Sequence, residues 1–425
     1  MIDRRQFLVG TAAAATMPAV LQAAPRPDFA PGKVDHCIHI WLGGGACQVD
    51  TWDPKRKGDP KLKKPGSYYD PIDTSVPGLQ VCEHLKHCAK VMEHFSLLRS
   101  VHHEAVDEHA AATNEMHTGR PVSGTIVYPS IGSAVAHERG KVVGGAPAYV
   151  VMGYPNLTRG PGFLGAKAGF VYLTNTENGP TGLTRPASIS SSRQAERDRL
   201  LGVARKSFVK RNSKDTVIRQ YNDAIGESQE LMSGEFMSAF NLKSESDSLR
   251  NAYGGEFGQR CLLARRLIQR GVRFQEVSFN LNFVNGTGWD THNDGQLKQH
   301  LIIQQLDQAL ATLVTDLQKH KLLDKTLIVV STEFGRPPEF DGGGGRGHQS
   351  RAFTVALAGG GLKNGRAIGV TDEIGKTVVE RPISVPDLFA TIHWAMGVNP
   401  NKNLYDGDRP VPITDHGKPV KELFV

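Results

Sequence analysis

The chain has 425 residues and a formal net charge of +7, with 39% hydrophobic, 22% charged and only 7% aromatic residues. That length allows a sizeable buried core, and the composition excludes a disordered or fibrous chain. The 46 glycines point to many tight loops around a regular scaffold.

The chain opens MIDRRQFLVGTAAAATMPAVLQAAP, with paired Arg4 and Arg5, then Phe7 and Leu8, a short Ala-rich apolar stretch, and small residues at Ala23 and Ala24. This pattern predicts a twin-arginine export signal over 1–24, and with it a periplasmic or secreted location and the twin-arginine export machinery as a partner. The apolar stretch is short and contains Pro18, so no stable membrane span is expected. The twin-arginine route carries folded proteins, so a site assembled with its metal before export is expected. Five cysteines are an odd number for a disulfide framework. Cys82 and Cys88 are close enough in sequence to bridge, and the rest read as small buried thiols.

Apolar runs of strand length follow at His36 to Leu42, Ser96 to Val101, Ala148 to Met152, Val272 to Phe279, Thr326 to Ser331 and Ala352 to Ala358. Between them lie helical patterns, the clearest from His300 to His320, where Ile303, Leu306, Leu310, Leu313 and Leu317 recur at helix spacing. Val385 to Val398 reads as an amphipathic helix ended by Gly397. Strands alternating with helices predict an α/β fold: a three-layer α/β/α sandwich around a mostly parallel sheet. From about 192 to 270 the sequence is charged and helix-prone, which predicts a helical insertion in the domain at 25–425. Between Arg185 and Arg219 ten Lys/Arg stand against three Asp/Glu. That segment reads as a solvated helical face or a surface for a polyanion. Phe208 is the single aromatic within it, too little for base stacking, so no nucleic acid is expected.

In an open parallel sheet, ligands bind outside the carboxyl ends of the strands. Asp50 follows the first strand, Asp290 and His292 follow VRFQEVSF, and Glu333 follows LIVVST. A four-glycine loop, Gly342 to Gly345, then returns the chain to His348. These five residues make an oxygen and nitrogen ligand set without thiolate. It suits zinc or manganese, with magnesium, calcium or iron less easily excluded. Singly, each has an ordinary role open to it: Asp50 as a cap, Asp290 and His292 as a polar turn, Glu333 as an ion-pair partner of Arg336. A second polar crowd, with His102, His103, Glu104, Asp107, Glu108, His109, Glu115 and His117, reads as a polar loop entering a helix or as part of a site. Arg120, Arg336, Arg346 and Arg351 are candidates to bind an anionic group, or ordinary surface ion-pair residues.

The segments DRRQFL, GGGACQVDTWDPK, EHAAATNEMHTGRP, GWDTHND, STEFGRPPE and GGRGHQSRAFTVALAGGGLKNG together resemble a secreted bacterial family, domain of unknown function 1501, a branch of the alkaline phosphatase and sulfatase superfamily. The resemblance runs over nearly all of the chain beyond the signal. It implies metal ions at the strand ends that polarise a phosphate or sulfate ester. Asp50 then corresponds to the first-strand metal aspartate, Asp290 and His292 loosely to the central Asp/His pair, and His348 to the late metal histidine. Counting back nine residues from Thr118 places His109 at the sulfatase nucleophile position. Phe334 stands where many members carry a histidine ligand. The expectation is an exported metal-dependent hydrolase acting on a small-molecule or polysaccharide ester, with His109 as its catalytic residue. The alternatives are a noncatalytic envelope protein of the same fold that binds an anionic polysaccharide, and a metal-dependent isomerase or transferase.

Overall fold

Runs rich in Ile, Val and Leu become strands, and nine strands pair into one sheet in the computed structural model of the chain. The structure describes residues 26–425 except 106–107, 143–145, 154–156, 174–175, 177–178, 181–182, 184–185, 233–234, 280–284 and 293–294. The expected export signal, Asp107 and Arg185 lie outside the described residues.

Numbered along the chain, the sheet strands are β1 His36–Trp41, β2 Phe95–His102, β3 Tyr149–Met152, β4 Val171–Leu173, β5 Phe274–Ser278, β6 Thr326–Ser331, β7 Phe353–Gly359, β8 Arg366–Ile368 and β9 Ile383–Ser384. They lie in the order β8, β2, β7, β6, β1, β5, β3, β4, and β9 pairs with the far end of β2. Within this sheet β7 alone runs antiparallel to its neighbours. The sheet is thus mostly parallel.

The helices of nine residues or more are α1 His109–Thr118, α2 Ile131–Arg139, α3 Ser191–Arg211, α4 Thr216–Met232, α5 Glu256–Ile268, α6 Gly295–Lys319 and α7 Val385–Ala395. Alternation along the strands divides the core in two, because successive side chains point to opposite faces. Ile38, Ile40, Ile328 and Val330 join the cluster under α5 and α6. Cys37, Trp41, Leu327 and Val329 join the cluster under α1, α2 and α7. The result is three layers, helix on sheet on helix.

Each of the six expected strands is present. The sequence reading missed β4, β8 and β9, which are three, three and two residues long and too short to show a period. Within the helix-rich stretch, α5 buries Phe257, Cys261, Leu262, Leu263 and Leu267 in the core layer, while α3 buries none of its residues. All five cysteines are free and buried, Cys82 and Cys88 included. Among the described residues no helix is long and apolar enough to cross a membrane.

Candidate metal centre

The loops that leave β1, β5 and β6 meet at one edge of the sheet. Thr332 stitches two of them together: its hydroxyl donates to the Leu42 carbonyl at 2.9 Å and accepts from the Ala46 amide at 2.9 Å. Gly44 sits at φ 121°, and a Cβ there would lie 2.7 Å from the Asp290 amide nitrogen. Only glycine lets the β1 loop approach the Asp290 loop so closely. The loop after β6 is closed by paired backbone bonds between Gly335 and Gln349 at 2.8 and 3.0 Å. Inside it, Asp341 accepts from the amides of Gly343 and Gly345, and the Arg346 amide donates to the Thr291 carbonyl at 2.7 Å. The glycine run therefore folds back on Asp341 and carries His348 to the Asp290 loop.

Asp290 Oδ1 lies 3.2 Å from His292 Nε2 and 3.6 Å from His348 Nε2, and the two ring nitrogens are 3.1 Å apart. Ligands bound tetrahedrally at about 2.0–2.1 Å stand about 3.3 Å from one another, so this spacing fits three ligands of one small ion. His109, the first residue of α1, completes the group: its Nε2 is 3.7 Å from Asp290 Oδ2, and His109, Asp290 and His348 can each direct a ligand atom within 4.8 Å of the others. The donor set is imidazole and carboxylate, which suits a borderline divalent ion. Side-chain exposures of 38% for His109, 43% for Asp290 and 44% for His292 leave the cluster open to solvent.

Glu333 serves His109. Its Oε1 accepts from His109 Nδ1 at 2.7 Å and from the Gly44 amide at 2.7 Å, while Oε2 lies 3.2 Å from the Thr332 hydroxyl oxygen. The nearby Asp290 carboxylate and then the hydrogen-bonded Glu333 raise the pKa of His109 to about 9. Burial alone would raise the Asp290 carboxyl, but His109, His348 and Arg336 together hold it far below the ordinary carboxylate range. Phe334 is buried, with ring centroids 4.5 Å from His348 and 4.9 Å from His109. At the position where the resemblance led us to look for a histidine ligand, this phenyl ring buttresses two imidazoles.

The remaining residues singled out from sequence are placed differently. Asp50 is fully buried, belongs to neither ligand group, and accepts from Arg346 Nε at 2.8 Å, Arg346 Nη2 at 3.0 Å and the Tyr68 amide at 2.7 Å. Arg346 is buried with it. Arg336 contacts the cluster at Asp290 Oδ1, 2.5 Å from Nη2, and at His292 Nε2, 3.5 Å from Nη1, and it also donates to the carbonyls of Gly44, Gly45, Arg346 and Gly347. Arg120 binds Asp415 and the carbonyls of Pro412 and Thr414, and Arg351 is exposed. Glu108 caps α1 by accepting from the amides of Ala110 and Ala111, so the helix start already holds a carboxylate.

A second group, His39, His117 and Glu276, lies fully buried under α1. Sequence reasoning passed over His39 and Glu276. The available signal was a polar residue in the middle of each of two apolar strands, at positions that the parallel register sets opposite one another.

A family model described as "Protein of unknown function (DUF1501)" matches residues 34–424. The chain belongs to the DUF1501 family. No curated protein matches it by sequence. Among solved structures, this DUF1501 chain is similar to the lipoteichoic acid synthase LtaP from Listeria monocytogenes, at 10% identity and TM-score 0.41, covering 92% of this chain and 78% of that one. It is also similar to Ps i-CgsB in complex with k-i-k-neocarrahexaose, at 11% identity and TM-score 0.40, covering 87% and 72%. A third is the alkaline phosphatase from the Antarctic bacterium TAB5, at 11% identity and TM-score 0.38, covering 87% and 99%. At that degree of likeness the side chains of the DUF1501 chain, not its neighbours, must carry a functional reading.

Proposed function

We propose that this protein is an exported, metal-dependent hydrolase of phosphate or sulfate esters. The observation that carries the reading is the convergence of Asp290, His292 and His348, beside a carboxylate-oriented His109, at the open carboxyl edge of a parallel sheet. Asp290, His292 and His348 would hold the ion, with zinc or manganese best suited to two imidazoles and one carboxylate. When bound, such an ion supplies Lewis-acid polarisation of an ester oxygen.

The protein's own groups supply the proton chemistry. Glu333 fixes His109 through Nδ1 and leaves Nε2 facing the cluster, the arrangement of a proton-transfer residue held by an orienting acid. With its pKa raised to about 9, His109 carries a proton at neutral pH and can give it to a leaving oxygen. Arg336 keeps Asp290 ionised from the buried side. The exposure of the cluster suits a small ester or one carried on a polysaccharide.

Chelator-treated protein should turn over aryl phosphate or aryl sulfate only after zinc or manganese is restored. His109→Gln and Asp290→Asn should each lower kcat/KM by about a hundredfold or more with far-UV circular dichroism unchanged. Absence of turnover with either ester under every ion, or equal turnover in both variants, would sink the reading.

One observation favours a second reading, a noncatalytic binder of anionic polysaccharide. Helix α3 buries no residue and its sequence carries seven Lys/Arg against two Asp/Glu. A binder would be retained on a sulfated polysaccharide, would be released by charge reversal at Arg193, Arg197 and Lys206, and would be indifferent to His109→Gln.

A further inference from the structure

The proposed reaction makes no use of the three side chains buried beneath α1. His39 in β1 and Glu276 in β5 are direct partners in a parallel register, so their side chains leave the same face of the sheet. His117, in the last turn of α1, comes down on them from the helical layer. Relative exposures are 4% for His39, 1% for His117 and 0% for Glu276, so water does not reach the group.

Each of the three has one polar atom held by an outer partner. His39 Nε2 is 2.6 Å from the Ser331 hydroxyl, His117 Nδ1 donates to the Thr113 carbonyl at 2.7 Å, and Glu276 Oε1 accepts from Arg159 Nε. Of the other polar atoms, His39 Nδ1 has no partner, and His117 Nε2 and Glu276 Oε2 have only each other. Buried polar atoms are nearly always satisfied, and an orphan beside a pair with no further partner requires an explanation. With Nδ1 donating to Thr113, a neutral His117 turns a lone pair toward the Glu276 carboxylate 3.2 Å away. Two lone pairs at that distance repel unless something positive lies between them.

A proton on His117 would satisfy that pair and leave His39 Nδ1 an orphan, a costly arrangement in a dry interior. A cation shared by all three satisfies every one of them. The three residues can each bring a ligand atom within 4.8 Å of the others, and an outer hydrogen bond that fixes each ligand's orientation is the usual setting of a bound metal. Arg159 sits on the carboxylate oxygen away from His117, and the two imidazoles favour a borderline ion over a hard one.

We infer that His39, His117 and Glu276 form a second, buried site for a divalent transition ion of the zinc class, separate from the open cluster and acquired while the chain folds. It does not rest on the hydrolase reading. Because the site is closed, its ion resists chelation that empties the open one. It also ties α1, which begins at His109, to the sheet.

The test uses the full chain produced in zinc-supplemented culture, treated while folded with excess EDTA, desalted, and measured for zinc by elemental mass spectrometry. An Asp290→Asn, His348→Gln double variant removes the open cluster; His39→Gln and Glu276→Gln remove the buried one. Wild type and the double variant should each retain about one zinc per chain, and folded His39→Gln should retain about a tenth of that or less. Chains grown on cobalt should show visible cobalt absorption in the double variant, which decides the matter even where the buried-site variants do not fold. Less than about a tenth of an ion in EDTA-treated wild type, or equal retention in folded His39→Gln, overturns the inference whatever the esterase assays give.

Discussion

Asp50 shows how one carboxylate can carry a metal-ligand signature and be used otherwise. Its position after a glycine turn at the end of β1 is that of a ligand, yet both oxygens are taken by the Arg346 guanidinium, which lies deep in the protein over the Phe340 ring at 4.1 Å. Breaking such a buried pair from one side strands the other charge, at a cost of about 3–5 kcal/mol. Asp50→Ala should therefore lower the urea midpoint by an amount equivalent to that range. Zinc bound per folded molecule should stay unchanged, because Asp50 touches no residue of either ligand group. A drop in bound zinc would return Asp50 to the metal centre.

Among the elements, α7 was the most completely legible. Ser384 accepts from the Asp387 amide at 3.2 Å and Asp387 returns the bond to the Ser384 amide at 3.1 Å, with Pro386 in the first turn and Gly397 at φ 73° beyond the end. Ser384→Ala removes half of that capping box and should cost about 1 kcal/mol, seen as a lower denaturant midpoint with an unchanged slope. Helix α1 was less legible. It is short, its polar residues face both solvent and core, and no apolar period announces which histidine points where. His109 ends up in the open cluster and His117 in the buried one because they lie seven residues beyond and at the end of elements whose packing the sequence does not state. The β7 strand was read from its apolar run, but not its direction. The long loop after β6 returns the chain along the same edge without a helical crossover, and that reversal is a property of the loop.

For the whole molecule, the open cluster couples stability to pH. His109 has a folded pKa of about 9 against an ordinary 6.5, so its contribution is fully present below 6.5 and is lost as pH rises through 9. Asp290 is depressed from an ordinary 3.8, so its contribution is present above that value and is lost only as pH falls through its folded pKa. In EDTA, the difference in melting temperature between wild type and His109→Gln should be largest between about pH 4 and 6.5 and should shrink toward zero by about pH 9. Added zinc should act in the opposite sense, stabilising more as pH rises, since the imidazoles of His292 and His348 bind an ion only without their second proton. A melting difference that stays constant from pH 6 to 9 would mean that the His109 proton is not shared with Asp290 and Glu333.

The sequence by itself determined the layered α/β class, six of the nine sheet strands, the two long-period helices and the membership of Asp290, His292 and His348 in one edge of the sheet, because these follow from hydrophobic period and from the rule that sites form beyond strand ends. Tertiary structure decided everything that depends on which of two neighbours a polar atom meets. It gave Asp50 to Arg346, turned Glu333 toward His109, set Phe334 as a support for two imidazoles, and brought His39, His117 and Glu276 together from three distant segments. Local sequence fixes where a side chain leaves the backbone; only the packing of remote loops fixes what is waiting there.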